Sequence, residues 1–532
     1  MRRIIEKIEG MEISVASWLA VFFSINLLRM TFESFSGNGL SIYPIKAIFL
    51  HPPLFYACVL LSTAILLRLI TKVEMKKILN IVLFGFFAFI IPPVVDFIIS
   101  GGKGDLQIRY LMAPLPELAR DFITFLGPNF RSGATYGIRV EAFVTMLLVG
   151  MYIFIKTRNK GKTLLGVLIA YTIAFVYGAL PGILGSLASL PANPWLTSPL
   201  DILRRFLATR DIFAISYGPE KIQELFSVEM ALILLPMMFI QLLVAAYFLD
   251  PKKFVAFLQK FRYLRLLFQY GALFIGIVIG VTTFHKTFDH GAYAILTLVA
   301  LFISATCVWA FSLTANDRND VAIDAISNKD RLLVQGIFSI KEFEAIGLMS
   351  FVVAVVAAFA VGYSFLVLTL VSLVLAYLYS CPPMRLRRFA FIAPALMSLG
   401  TAILILEGFL PFAASGDFVE FPITFFVLMV FVVALVINIK DIKDIEGDKP
   451  NGISTIPTLF GEKRGKIIIS LLFVLSFLLF PIILHSKQLI VTAVLFSVLS
   501  WLLINNKKVN EWLVFGSYSL FLIVVAFTVL RA

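Results

Sequence analysis

Two stretches of this chain carry carboxylates at a spacing that suits metal and phosphate chemistry. The first, residues 316–336, reads NDRNDVAIDAISNKDRLLVQG; the second, residues 441–461, reads DIKDIEGDKPNGISTIPTLFG. Asn316, Asp320 and Asp324 are four apart, as are Asp444 and Asp448, and Asp441 lies three before Asp444. Residues three and four apart share one face of a helix, so each stretch can present a row of oxygen ligands. Like carboxylates repel one another and are costly to bury, which calls for a cation. Oxygen-only ligands suit magnesium, which takes one or two carboxylates together with substrate phosphate oxygens. No Cys/His cluster accompanies them, which argues against zinc. Either stretch alone reads equally well as a charged loop between helices. Two with matching spacing, each following a long apolar run, read as one bipartite site. The expected metal ligands are Asn316, Asp320, Asp324, Asp441, Asp444 and Asp448, with Mg2+ as cofactor.

The elements that must position these rows are membrane helices. The 532 residues are 60% hydrophobic and 14% charged, whereas soluble chains average about 45–50% apolar. The net charge of +13 is not a nucleic-acid signature, because Lys and Arg sit in short connectors between apolar runs, as the positive-inside rule expects. Cys58, Cys307 and Cys381 are scattered and are expected as free buried thiols. The 53 phenylalanines suit lipid-facing and tunnel-lining helices.

Runs of about 20 apolar residues suffice to cross a bilayer. About six precede residue 250, near 13–28, 47–69, 78–99, 140–155, 164–184 and 228–249. About nine follow, near 266–283, 291–313, 343–361, 364–380, 389–413, 421–440, 466–484, 488–504 and 511–530. The expected fold is an all-α polytopic membrane protein, divided into a bundle at 1–250, a basic interfacial linker at 251–265 and a second bundle at 266–532. Basic connectors at 72–77, 156–162 and 252–265 alternate along the chain, which places them, and both acid stretches, on the inner side. The longer outer loops near 101–138 and 185–227 contain Trp195, Asp201, Arg204, Arg205, Arg210 and Asp211 but no motif. Residues 200–207 could lie at the interface; a solvated cap is the simpler reading. Within the second bundle, an acid stretch follows the second span and again the sixth, as duplicated four-helix units would arrange them.

The pair of acid stretches resembles the two aspartate motifs of the UbiA superfamily of intramembrane prenyltransferases. The NDxxDxxxD pattern is met by Asn316, Asp317, Asp320 and Asp324, followed by Asn328, Arg331 and Gly336. The second motif is met by Lys440, Asp441, Asp444, Glu446, Gly447 and Asp448, ending at Thr455-Ile456-Pro457. YSCPPMRLRR at 379–388 is similar to the family's YSPPLRLKR, with one residue inserted. The resemblance covers the chain from near residue 262 onward. One departure stands out: the family's RPLPSG is RLLVQG here.

The resemblance implies magnesium-dependent transfer of an isoprenyl group from an allylic diphosphate to a hydrophobic acceptor of quinone, chlorin or glycerol-phosphate type. It implies catalytic roles for Asp320, Asp324, Asp444 and Asp448. Asn316, Asn328, Arg331, Tyr379, Ser380, Arg385 and Lys449 are the expected substrate-binding residues, with Lys329 and Arg388 as further cationic candidates. The bland reading of each cation is a positive-inside anchor, and of Tyr379 an interfacial aromatic. The implied partners are the isoprenyl diphosphate, the acceptor and the bilayer, in the cell membrane with the site on the cytoplasmic side. The alternative reading is a transporter or flippase of a phosphorylated lipid. That would place its acids near the bilayer midplane in broken helices, rather than paired at helix ends.

Overall fold

The computed structural model describes residues 1–35, 45–101, 110–127, 134–188, 219–284, 292–413 and 418–531. Residues 200–207, with Trp195, Asp201, Arg204, Arg205, Arg210 and Asp211, lie outside the described residues. Among the described residues all regular structure is helical. Long apolar runs without period-two alternation leave the helix as the one local structure that satisfies its own backbone groups in lipid.

Among the described residues, thirteen helices are long and apolar enough to cross a membrane. Six lie before residue 250: Val15–Ser34, His51–Thr71, Met75–Ile99, Tyr136–Thr157, Lys160–Leu187 and Glu224–Leu249. Seven follow, from Tyr263–Thr283 to Glu462–Ile483, and the shorter apolar helices Gln488–Ile504 and Glu511–Val525 complete the expected nine. The described residues group into two compact units. One is Met1–Val255 with Asp289–Ile303 and Phe359–Val361; the other is Ala256–Phe288, Ser304–Ala358 and Gly362–Ala532.

In the first unit, His51–Thr71 packs against Pro219–Leu249 and Lys160–Ala188. A buried arginine is tolerable in such a bundle only when paired. Arg29 meets Glu33 at 2.9 Å and Glu141 at 3.3 Å, donates to the Phe89 carbonyl at 2.7 Å and lies over the Tyr56 ring. The short helix Arg2–Glu9 is tied down through Glu9, which accepts from Tyr152 at 2.8 Å and from Lys156 at 2.7 Å.

The second unit is built around Ile392–Phe409, which packs on Tyr263–Phe284 on one side and on Ile423–Val436 on another. The first contact depends on two glycines. A Cβ at Gly276 would sit 2.9 Å from the Ile405 carbonyl carbon, and one at Gly408 would sit 2.9 Å from that of Leu273. Small residues of this kind let membrane helices approach backbone to backbone. At the chain's end, Phe473, Phe477, Phe480 and Phe521 are fully buried, so part of the abundant phenylalanine forms core rather than lipid-facing surface.

Candidate active site

The helix Ala292–Asn319 ends one residue before Asp320, which precedes the short helix Val321–Ser327. The helical bonding pattern nevertheless runs through the acid row: the amide of Asp320 donates to Asn316 O at 3.0 Å, Asp324 to Asp320 O at 2.8 Å, and Asn328 to Asp324 O at 2.8 Å. The four-residue spacing therefore becomes one face, as expected. In the second stretch the helix Ile423–Val436 tightens into the 3-10 turn Ile437–Ile442, and Asp444 precedes the short helix Ile445–Asp448. The Asp448 amide donates to Asp444 O at 2.8 Å.

Val321–Ser327 and Ile445–Asp448 pack against each other, and the contact is made at Gly447. A Cβ there would land on Ser327 Oγ, 3.1 Å from Ser327 Cβ and 3.3 Å from Ile323 Cγ2. The two acid stretches thus meet at one end of the second unit.

The third sequence element closes the site. Arg385 has a left-handed backbone (φ 40°), uncommon for a residue with a side chain. Its Nη2 reaches Asp320 Oδ1 at 2.9 Å and the Asn319 carbonyl at 3.1 Å. Arg387 goes further. It pairs with Asp320 of the first row, lies 3.6 Å from Asp448 of the second, and donates to Asn316 Oδ1 at 3.5 Å. One guanidinium therefore bridges both rows. Burial holds the Arg387 pKa below its ordinary value, against the pull of Asp448, Asp444 and Asp441. The Arg388 carbonyl accepts from the Ser454 amide at 2.9 Å and so ties this loop to the second stretch.

The expected site residues fall into two groups. Asn316, Asp320, Asp324, Asn328, Arg331, Arg385 and Asp448 are brought together. Asn328 donates to Asp324 Oδ1 at 3.0 Å, and Arg331 Nε lies 3.8 Å from the same oxygen. Asp441 and Asp444 bear on Arg387 through their charge. Tyr379 accepts from Lys440 at 2.8 Å, and Ser380 is buried beside it. Lys329 and Lys449 are exposed and, among the described residues, pair with neither acid row. The Arg388 side chain lies over Phe389. Sequence assigns Arg387 no site role of its own, while Lys440 and Gly447 enter only as matches to the second motif. The RLRR run offers three arginines within four residues and nothing local to rank them.

Among the described residues no three His, Cys, Asp or Glu side chains come close enough to hold a metal ion; arginines compensate the acids instead. The polar inventory still leaves open valences of both signs. Asp324 Oδ2 and Asp448 Oδ1 are buried without a hydrogen-bond donor, while Arg331 Nε, Arg385 Nε, Ser327 Oγ and Ser380 Oγ are buried without an acceptor. Buried polar groups are normally satisfied. Burial raises the Asp324 carboxyl above its ordinary pKa, with Arg331 opposing, and pushes Asp448 up to about 6, with Arg387 opposing. Buried carboxylate oxygens without hydrogen-bond donors, together with N–H and O–H groups without acceptors, fit a divalent cation carried with an anionic, oxygen-rich ligand.

Fold and site together define a helical membrane protein with paired acidic motifs at one end of a bundle. Residues 271–524 match the model of the UbiA prenyltransferase family. No family matches the amino-terminal region. The digeranylgeranylglyceryl phosphate synthase of Methanopyrus kandleri is 30% identical over 189 residues, which cover 35% of this chain and 65% of that protein. The 33 kDa chain of bacteriochlorophyll synthase from Rhodobacter capsulatus is 29% identical over 219 residues, 38% of this chain and 67% of that one. The chain thus spans about two thirds of the length of these relatives. Among solved structures, a UbiA homologue from Archaeoglobus fulgidus bound to DMAPP and Mg2+ is 19% identical, with a TM-score of 0.37, over 51% of this chain and 99% of that one.

Proposed function

We propose that this protein transfers an isoprenyl group from an allylic diphosphate to a hydrophobic acceptor within the membrane, with magnesium as cofactor. The observation that carries the reading is the meeting of both acid rows around Arg387, where buried carboxylate oxygens and donors are left without hydrogen-bond partners. Asp320, Asp324, Asp444 and Asp448, with Asn316 and Asp441, would hold the cation. When bound, it supplies Lewis-acid stabilisation of the charge on the departing diphosphate. Arg331, Arg385 and Arg387 add fixed positive charge at the same place, with Asn328, Tyr379, Ser380 and Lys449 as further substrate contacts. In the reaction the allylic carbon–oxygen bond breaks, the diphosphate leaves with the electron pair, and the acceptor bonds to that carbon and gives up a proton. The buried setting keeps water from competing for the allylic cation.

Similarity to proteins named as a digeranylgeranylglyceryl phosphate synthase and a bacteriochlorophyll synthase chain supports an acceptor of the lipid or aromatic class. Acids at helix ends, rather than at mid-helix, disfavour the transporter reading. We assign the chemistry to residues 266–532, with 251–265 as an interfacial linker and 1–250 as a separate bundle. The site faces the cytoplasm, because the basic connectors share its side. The test incubates purified protein with magnesium, labelled geranylgeranyl diphosphate and a total lipid extract. A labelled prenylated lipid that needs magnesium supports the reading. Unchanged diphosphate with every acceptor fraction refutes it.

A further inference from the structure

We propose that Arg262 is a positioning residue for this site: its ion pair with Asp317 fixes the rotation and tilt of the helix end that carries the first acid row. The inference rests on the prenyltransferase reading above, and it concerns a residue outside both acid stretches.

Asp317 follows Asn316 in sequence but stands about 100° from it around the helix. It therefore points away from the row formed by Asn316, Asp320 and Asp324. It is buried, 5% exposed, and a buried carboxylate needs a partner. That partner is Arg262, itself largely buried. Arg262 has a left-handed backbone (φ 60°), a conformation retained only where the surroundings determine it. The surroundings do so here. Phe257 and Phe261 pack with Phe338 and Phe343. Phe261 shares a core with Leu313, just before the acid row Asn316–Asp324, and with Leu332, eight residues after it. The Trp309 indole donates to the Phe261 carbonyl at 3.0 Å. Arg262 is thus presented from a rigid base rather than from a loop.

Two ion pairs run from this segment to the first stretch, and they are not equivalent. Lys260 meets Asp330 at 2.7 Å, but both side chains are exposed, and exposed pairs contribute little. Arg262–Asp317 is buried, and removing one partner of a buried pair leaves an uncompensated charge. Arg262 also stands close enough to Arg331 for their charges to oppose each other, so losing it disturbs the neighbouring cation as well. Groups that orient ligands without touching the ligand or substrate typically change activity about 10- to 100-fold when lost.

The experiment uses the full chain in detergent or nanodiscs. Arg262→Gln, Arg262→Lys, the exchange Arg262→Asp with Asp317→Arg, and the control Lys260→Gln are compared for kcat, for KM of geranylgeranyl diphosphate, and for amide hydrogen exchange across residues 316–336 without ligand. Arg262→Gln should lower kcat about 10- to 100-fold with KM changed less than threefold, and exchange across 316–336 should rise. Arg262→Lys and the charge exchange should each restore both readouts in part, and Lys260→Gln should change neither. The exchange arm needs no turnover, so it stands even if the transferase reading fails. Three results overturn the inference: normal kcat in Arg262→Gln, a loss confined to KM, which marks a substrate contact, or exchange across 316–336 that is the same in every variant.

Discussion

Gly447→Ala perturbs a close contact between the two acid stretches. The added methyl would overlap Ser327 Oγ and lie 3.1 Å from Ser327 Cβ and 3.3 Å from Ile323 Cγ2. Rotating the serine hydroxyl away removes the first conflict and leaves the other two, which are tighter than the about 3.5–4.0 Å of ordinary carbon contacts. The short helices 321–327 and 445–448 must then separate by roughly half an ångström or more. Gly447 has no positive φ, so backbone strain adds nothing and packing alone sets the effect. Overpacking of this kind costs roughly 1–3 kcal/mol, which the folded bundle should survive. Asp448 neighbours Gly447 and Asp324 neighbours Ile323, so the displacement acts on the distance between the two acid rows. A misplacement approaching 1 Å can cost about 100-fold in rate. The assay is kcat/KM for geranylgeranyl transfer at saturating magnesium, with size-exclusion and thermal melting as folding controls. Gly447→Ala should fall about 100-fold while eluting normally. Adding Ser327→Gly, which vacates both serine atoms, should recover at least about tenfold of that loss. A folded Gly447→Ala protein within threefold of wild type refutes the packing argument, and so does a double variant no better than the single one.

Asp320→Ala and Asp448→Ala should each abolish transfer while the protein still inserts and purifies normally; near-normal turnover in both would sink the metal-site reading. The Asp448 carboxyl, held near pKa 6 rather than the ordinary value near 4, must lose its proton to bind a cation. Proton and cation compete, so the half-activating magnesium concentration should be flat above about pH 7 and rise about fourfold by pH 5.5; a constant midpoint over that range contradicts the assignment. Cysteines placed at the exposed positions Arg318 and Lys443 should resist a membrane-impermeant thiol reagent in intact cells and react after lysis, whereas labelling from outside reverses the proposed orientation. A chain beginning at Pro251 retains Arg262 and both acid stretches and should keep magnesium-dependent transfer; if it folds and binds diphosphate yet transfers nothing, residues 1–250 contribute to the chemistry.

The spans and the acid rows were legible because each is a local property. A run of apolar residues sets its own length and structure in lipid, and a four-residue spacing sets its own face on a helix. The backbone bonds linking Asn316, Asp320, Asp324 and Asn328 follow from that periodicity alone. Which cation meets which acid is a different kind of fact. Arg385, Arg387 and Arg388 are chemically alike and lie within four residues, yet one holds Asp320, one bridges both rows and one lies over Phe389. Their fates depend on the left-handed turn at Arg385 and on the tie from Ser454 to Arg388, which joins segments some sixty residues apart. The same holds for Arg262, whose partner lies 55 residues away, and for Gly447, whose missing side chain matters because Ser327 and Ile323 lie against it. Sequence by itself determined the ligand types, their spacing and the helices that bear them. Tertiary packing decided which charges neutralise one another and how closely the two rows approach, because both depend on distances between segments that no local pattern encodes.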